Sequence, residues 1–488
     1  MTETRHSHQR DAGSLGKRNL ETVHAIGQSL AIGPIFSAGA VTATVASVAG
    51  FTTPLSVLFA FVGSLALAYV VSLYARRFAG AGAVYEYLAH GATKSFGVFS
   101  AGVYLVGLMF LGAGGVFIGI GFLGQSFFET HLSTDVPWWL CGAVALVIVV
   151  VLNHLGVRLA VGGVLALAAI SAVPFVLLAL VVVAKGGAHG NTLSVFDPGQ
   201  TSWNAVFKGI LFGVTLFIGF EAAAAIGEET REPRRSIPIA VLATVAISGV
   251  FFLLVAYAGA IGFGKSALAG SHNVWASSPS AYGALADHYV GHWLGAVVDL
   301  VIITDATSLA IAFVVTGSRI IFALSRDGLL PKWAGATSRF DTPVGGNMTL
   351  AAWSALVLVW GGVTHYGKAA QLPDSFEAFL ILNAAGSYLV ELIYVFLSLF
   401  ALRLVWRDRD AGGLIWKVPV LLAGLATPLL AFKGSLDPFP TFPNNRGVYF
   451  AAAVIVIAAL WWAFLRIRWP EKILQAAAHG VQGSDATG

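Results

Sequence analysis

The stretch Ser29 to Gly39, SLAIGPIFSAG, sets Gly33-Pro34 in the middle of an apolar run otherwise long enough to cross a bilayer. A regular helix does not survive there. Proline has no N–H and its ring clashes with the carbonyl one turn earlier, so carbonyls near Leu30 and N–H groups around Ile35 to Ser37 leave the helical ladder. Lipid offers such groups no partner, and non-helical backbone at membrane depth is tolerated only where protein buries it or where it lines a cavity. Broken helices of this kind build substrate and ion sites in secondary transporters, whereas a lone proline kink builds none. A second interrupted run, Phe212 to Gly227, in the corresponding place of a later set of spans favours a site. The candidate substrate-binding residues are therefore Ile32, Gly33, Pro34, Ile35, Phe36 and Ser37 at the first break, with Phe217, Ile218, Gly219 and Glu221 at the second.

With 57% hydrophobic and 11% charged residues, the chain has too little charge to cover a soluble surface of its length. It reads as an all-α integral membrane protein. Residues 1–19 are polar and lack the apolar core of a signal peptide, so the first span is expected to act as the insertion signal. The single cysteine, Cys141, excludes an intramolecular disulfide and any cysteine-based metal cluster.

Runs of about twenty apolar residues predict twelve transmembrane helices, at roughly 21–47, 52–75, 95–126, 137–153, 159–184, 204–227, 238–263, 292–323, 348–366, 376–402, 416–433 and 448–467. With the N-terminus inside, 22 of the 28 Lys and Arg fall on the cytoplasmic side, which predicts cytoplasmic N- and C-termini in the plasma membrane. The basic pI near 9.1 then reports topology and contact with membrane lipid, not nucleic acid. Two loops, Phe78 to Gly91 and Ala323 to Ala336, are expected to lie along the inner surface or close the inner vestibule, and Asn273 to Val290 to cap the outer one. Spans one to five overlay on six to ten in opposite orientation, which predicts a five-plus-five inverted repeat with helices one and six broken. The division is a tail at 1–19, a transport core at 20–403 (repeats about 20–185 and 203–403), two peripheral helices at 404–468, and a poorly ordered cytoplasmic tail at 469–488.

The run from Phe212 to Pro238, FGVTLFIGFEAAAAIGEETREPRRSIP, resembles the FxGFE…GEExxxPxxxIP signature of the amino acid, polyamine and organocation (APC) transporter superfamily. Ala81 to Tyr87 (AGAVYEY) is similar to the family's inner loop, and Ser318 to Pro331 (SRIIFALSRDGLLP) to its element after span eight. The resemblance implies a LeuT-like fold, alternating access and a small amine-bearing substrate such as an amino acid or polyamine. It also implies that backbone N–H groups at the first break hold the substrate carboxylate. Many members read GSGIF there; this chain reads IGPIF, and Pro34 has no N–H to give. The departure keeps amines and polyamines beside amino acids.

Ionisable residues inside spans are functional candidates. Glu221 reads equally as a structural acid bonding freed backbone and as a proton or amine site. Span eight carries Thr304, Asp305, Thr307 and Ser308 in one turn. The hydroxyls of Thr307 and Ser308 align with a pair that binds Na+ in sodium-coupled relatives of the fold, and Asp305 could hold Na+ or titrate with H+; interhelical hydrogen bonding is the plainer role for such hydroxyls. The coupling-ion candidates are Asp305, Thr307 and Ser308, with Na+ at Thr307 and Ser308 the only metal considered and no other cofactor expected. Span five has no charge that could stand in for the cation. Gly112, Gly114 and Gly115 of span three would admit close approach of a substrate. A cation-only carrier or channel, for example for potassium, is the alternative. An enzyme is not indicated, because no HExxH or GxSxG motif occurs. Substrate, direction of flux, coupling by symport or antiport, and oligomeric state stay open at this level.

The topology has a direct check. In a Cys141→Ser background, cysteine at Ser14 or Ser325 should resist an impermeant thiol reagent in intact cells, and cysteine at Ser271 should react. Labelling of Ser14→Cys from outside would overturn the assignment.

Overall fold

The computed structural model describes residues 20–30, 34–78, 80, 82–155, 157–270, 273–278, 280–338, 342–366, 373–407 and 411–476. Regular structure among them is helical, apart from isolated bridges pairing Leu20 with Thr230 and Thr337 with Pro343. In chain order the helices are α1 (Thr22–Leu30), α2 (Pro34–Phe36), α3 (Thr42–Ala49), α4 (Thr53–Ala75), α5 (Val84–Gly91), α6 (Lys94–Phe110), α7 (Val116–Leu132), α8 (Trp138–Leu155), α9 (Val157–Ala184) and α10 (Trp203–Thr215). They continue as α11 (Pro233–Phe263), α12 (Val274–Ser277), α13 (Ala281–Tyr289), α14 (His292–Arg326), α15 (Val344–Val363), α16 (Asp374–Arg407), α17 (Ala411–Leu436), α18 (Asn445–Arg468) and α19 (Pro470–Gln475).

Eleven helical stretches among the described residues are long and apolar enough to cross a membrane, one fewer than the sequence predicts. The difference lies in the first, Thr22–Ala75, where the spans expected at 21–47 and 52–75 run on as one stretch of 54 residues. Gly50 sits between α3 and α4 with a φ of 53°, a conformation that favours glycine. Each break is local. Ser37–Val41 forms a π-turn between α2 and α3, and Leu111–Gly115 forms another between α6 and α7. The second lies inside what reads from sequence as a regular span. Its loosened carbonyls are bonded from α15: Trp353 Nε1 donates to Met109 O at 2.8 Å, and Ser354 Oγ donates to Ala113 O.

The long helix α14 runs through the middle of the bundle and touches α2, α7, α8, α9, α13 and α15. Asp305, at its centre, is fully buried. On the outside, α8 carries exposed Trp139, Val144, Val147, Ile148 and Val151, the apolar face a lipid-facing helix presents. The helix α5, within Phe78 to Gly91, packs into the bundle rather than along its surface. Tyr85, Glu86, Tyr87 and Leu88 are buried, and Tyr87 stacks on Tyr74 with ring centroids 5.6 Å apart. The tail expected to be poorly ordered begins instead with a docked helix: α19 is held where Lys94 Nζ donates to Leu474 O at 2.6 Å and Lys472 Nζ to Gly328 O at 3.0 Å.

Close crossings depend on missing side chains. A Cβ on Gly346 of α15 would lie 2.7 Å from Ser318 O of α14, and that backbone cannot yield as a side-chain tip could. Gly346→Val should therefore destabilise the protein by about 1–3 kcal/mol, the usual cost of overpacking. Thermal unfolding in detergent reads this as a lowered midpoint; an unchanged midpoint would mean the two helices are farther apart.

Candidate functional site

The first break is closed by a carboxylate from another helix. Asp305 Oδ2 accepts hydrogen bonds from the N–H groups of Ile35, at 2.9 Å, and Phe36, at 2.8 Å. These are the donors that the opening of the α2 helix leaves without an intrahelical partner, and an anion suits the positive end of a helix. Bonds of this charge-assisted kind contribute about 1.5–3 kcal/mol each. Asp305 Oδ1 is buried and has no hydrogen-bond partner among the described residues. Ile32 and Gly33 lie outside the described residues.

The second break has its own carboxylate. α10 ends at Thr215, Gly219 turns the chain with a φ of 98°, and a 3₁₀ helix, Phe220–Glu229, follows. Glu221 Oε2 accepts from Gly219 N at 3.1 Å and from Tyr394 Oη at 2.8 Å, while Oε1 accepts from Tyr104 Oη at 2.8 Å. Ser29 ties the breaks together: its Oγ donates to Phe220 O at 2.8 Å and accepts from Ala223 N at 3.1 Å. Ser29, Tyr104 and Tyr394 were missed by sequence reasoning; a hydroxyl one turn before a proline break is the signal that could have found the first, and the tyrosines lie too far along the chain to carry one.

The expected site residues surround small separate voids. Phe36, Ser37 and Ile218 line a cavity of about 30 Å³ with Thr215, Leu309 and Asn383. Pro34 and Phe217 border another of about 10 Å³ beside Ser29 and Phe252, and Gly219 a third of about 10 Å³ beside Tyr104 and Phe313. Phe217 stacks on Phe61 at 6.1 Å, and Phe36 meets Phe379 edge-on at 6.0 Å. Thr307 and Ser308 turn back to their own helix, donating to Ile303 O at 3.1 Å and Thr304 O at 3.3 Å. In span three, the space above Gly112 is filled by the Phe313 ring, which a Cβ there would meet at 1.9 Å.

On one face of the bundle a vestibule of about 650 Å³ opens among α3, α12, α16 and the 434–444 loop. Asn383 lines both it and the cavity beside Phe36. Glu377, also in its wall, is buried and neither carboxylate oxygen has a partner among the described residues. The opposite face is tied shut. Leu20 N donates to Glu229 O at 3.0 Å and Arg231 N to Leu20 O at 2.7 Å, beside a buried Arg319–Glu229 pair at 2.7 Å, an Arg326–Glu228 pair at 3.1 Å, and Tyr85 Oη donating to Asp327 at 2.7 Å. Breaking a buried pair from one side costs about 3–5 kcal/mol.

Compared with known proteins, residues 24–464 match the amino acid permease family. The branched-chain amino acid permease BcaP of Lactococcus lactis is 27% identical over 53% of this chain and 51% of its own. Human cationic amino acid transporter 4 is 28% identical over 31% of this chain and 24% of its own. The chain thus spans about half the length of the first and a quarter of the second. A crystal structure of the Eremococcus coleocola manganese transporter shares the fold, with a TM-score of 0.59 over 95% of this chain and 99% of that one at 11% identity.

The closed face contains a group poised to titrate. Burial first, and then the nearby Glu228 carboxylate, push Glu86 from an ordinary 4.5 up to about 8, against the lowering effects of Gly82 N–H and Arg326. Across that window the folded chain holds a proton the unfolded chain has released, so stability should fall as pH rises and level off above about 8. Glu86→Gln should flatten this dependence of the unfolding midpoint. A mutant as pH-sensitive as the wild type would place the titration elsewhere.

Proposed function

Since the chain belongs to the amino acid permease family and is a multi-pass membrane transporter, we propose that it moves an amino acid or related amine across the plasma membrane by alternating access as a secondary transporter. The observation that carries this reading is the pair of helix breaks, each capped by a buried carboxylate and joined through Ser29. Backbone freed at the middle of a membrane and held by exchangeable side-chain bonds is what a moving gate needs. The open vestibule on one face and the tied network on the other correspond to a state accessible from one side. Under this reading the vestibule faces outward, both termini are cytoplasmic, and Thr22–Ala75 crosses twice, making twelve spans in a five-plus-five inverted repeat. The core at 20–403 does the transport, while α17 and α18 support it from the periphery.

The coupling ion, Na+ or H+, is assigned to the turn of α14 that carries Asp305, Thr307 and Ser308, next to the first break.

Radiolabelled uptake by proteoliposomes, with independent Na+ and pH gradients, tests the whole reading. Wild type should accumulate an amino acid or amine in response to one gradient, and Thr307→Ala/Ser308→Ala should raise the Na+ requirement if Na+ is that gradient. Gly219→Leu, which forces a side chain into positive φ at the second break, should abolish uptake in folded protein. Gradient-independent uptake would remove coupling, and full activity in Gly219→Leu would move the site.

A further inference from the structure

We propose that the preferred substrate is an amine without a carboxylate, and that Asp305 supplies in its place the anion on which the first break depends; this rests on the transporter reading above. The exposed N–H groups of a half-helix at the membrane midplane form an anion site, and in transporters they face the anionic end of the substrate. Here that site is already filled from within. Pro34 has no N–H, and the N–H groups of Ile35 and Phe36 both go to a single oxygen of Asp305. A substrate carboxylate would have to enter beside this buried carboxylate, and two like charges sharing a dry site oppose one another strongly.

An ammonium group meets the opposite situation. A carboxylate can accept about four hydrogen bonds, and Asp305 spends two, both on Oδ2. Oδ1, on a side chain with 0% exposure, has no donor among the described residues. Asp305 does not itself line the cavity of about 30 Å³; its neighbours do: Phe36, whose N–H Asp305 holds, and Leu309, one helical turn beyond it. Its walls are otherwise apolar or aromatic, including Phe313 and Phe379, with Ser37, Thr215 and Asn383 as the polar exceptions. Aromatic faces attract a desolvated cation.

The approach to this cavity has the same character. Asn383 separates it from the vestibule, whose buried Glu377 leaves both oxygens without a partner among the described residues. Lys208 also lines the vestibule, among its many other residues, so the approach is not uniformly negative. Among the described residues, Glu377 in the vestibule wall and Asp305 beyond the small cavity are carboxylates with buried oxygens that lack a partner. In this arrangement the substrate's ammonium takes Asp305 Oδ1, which has no donor among the described residues.

The test compares amino acids with their own decarboxylation products in proteoliposomes: leucine with isopentylamine, phenylalanine with phenethylamine, and arginine with agmatine. In wild type, each transported amine should be preferred over its parent by at least about tenfold, a difference of about 1.4 kcal/mol. Asp305→Ala frees the N–H groups of Ile35 and Phe36 for the substrate's own carboxylate, so the preference should reverse toward the amino acid. A misfolded variant cannot produce that gain. Wild-type preference for the amino acid, or an unreversed amine preference in a folded, active Asp305→Ala, overturns the proposal. If Asp305→Ala is inactive, the wild-type preference decides alone. Preference for amino acids leaves the transporter reading standing, whereas no uptake of any of the six by folded wild type counts against both.

Discussion

Backbone polar groups released inside a membrane must be bonded by the protein itself, and the centre of this chain is arranged around that requirement. Helix α2 opens at Pro34, and Asp305, 270 residues from Ile35, bonds the N–H groups of Ile35 and Phe36 at 2.9 and 2.8 Å. Gly219 interrupts a second helix, and Glu221 closes that gap with help from Tyr104 and Tyr394. Without the two carboxylates the broken segments would present bare N–H groups to an apolar interior, each costing several kcal/mol. The long helix α14 owes its central position to this duty as well as to packing.

The same bonds make the breaks dependent on each other. Ser29, in the last turn of α1, holds both Phe220 O and Ala223 N just beyond the second break. Movement of one broken segment therefore strains the other. Below them, the Arg319–Glu229 and Arg326–Glu228 pairs join the end of α14 to the segment that follows the second break. Under the proposed alternating access, a change of accessible face would exchange bonds at both levels.

Much of the architecture was legible in local sequence. The apolar runs report a property that acts within a few residues, and the run Phe212 to Pro238 resembles the family that residues 24–464 match. Partners across the fold were not legible. Asp305 read as a coupling group because a buried carboxylate beside Thr307 and Ser308 suits a cation; only the three-dimensional arrangement brings it to the N–H groups of Ile35 and Phe36, while both hydroxyls return to their own helix. The glycines of span three read as room for substrate, and Phe313 occupies that room at Gly112. Glu377 drew no attention at the end of a predicted span, yet it lines the vestibule. Hydropathy divides Thr22–Ala75 close to Gly50, where the chain turns with a positive φ, and α19 was missed because its docking bonds come from Lys94 and Gly328 far away in sequence.

The account turns on one contact, and a cryo-electron microscopy structure of the full chain in lipid nanodiscs, with no amine or amino acid added, tests it most directly. Side-chain density for Asp305 should reach the backbone at Ile35 and Phe36, leaving no separate anion at the break. Asp305 turned away, with water or another anion on those N–H groups, would contradict the internal cap.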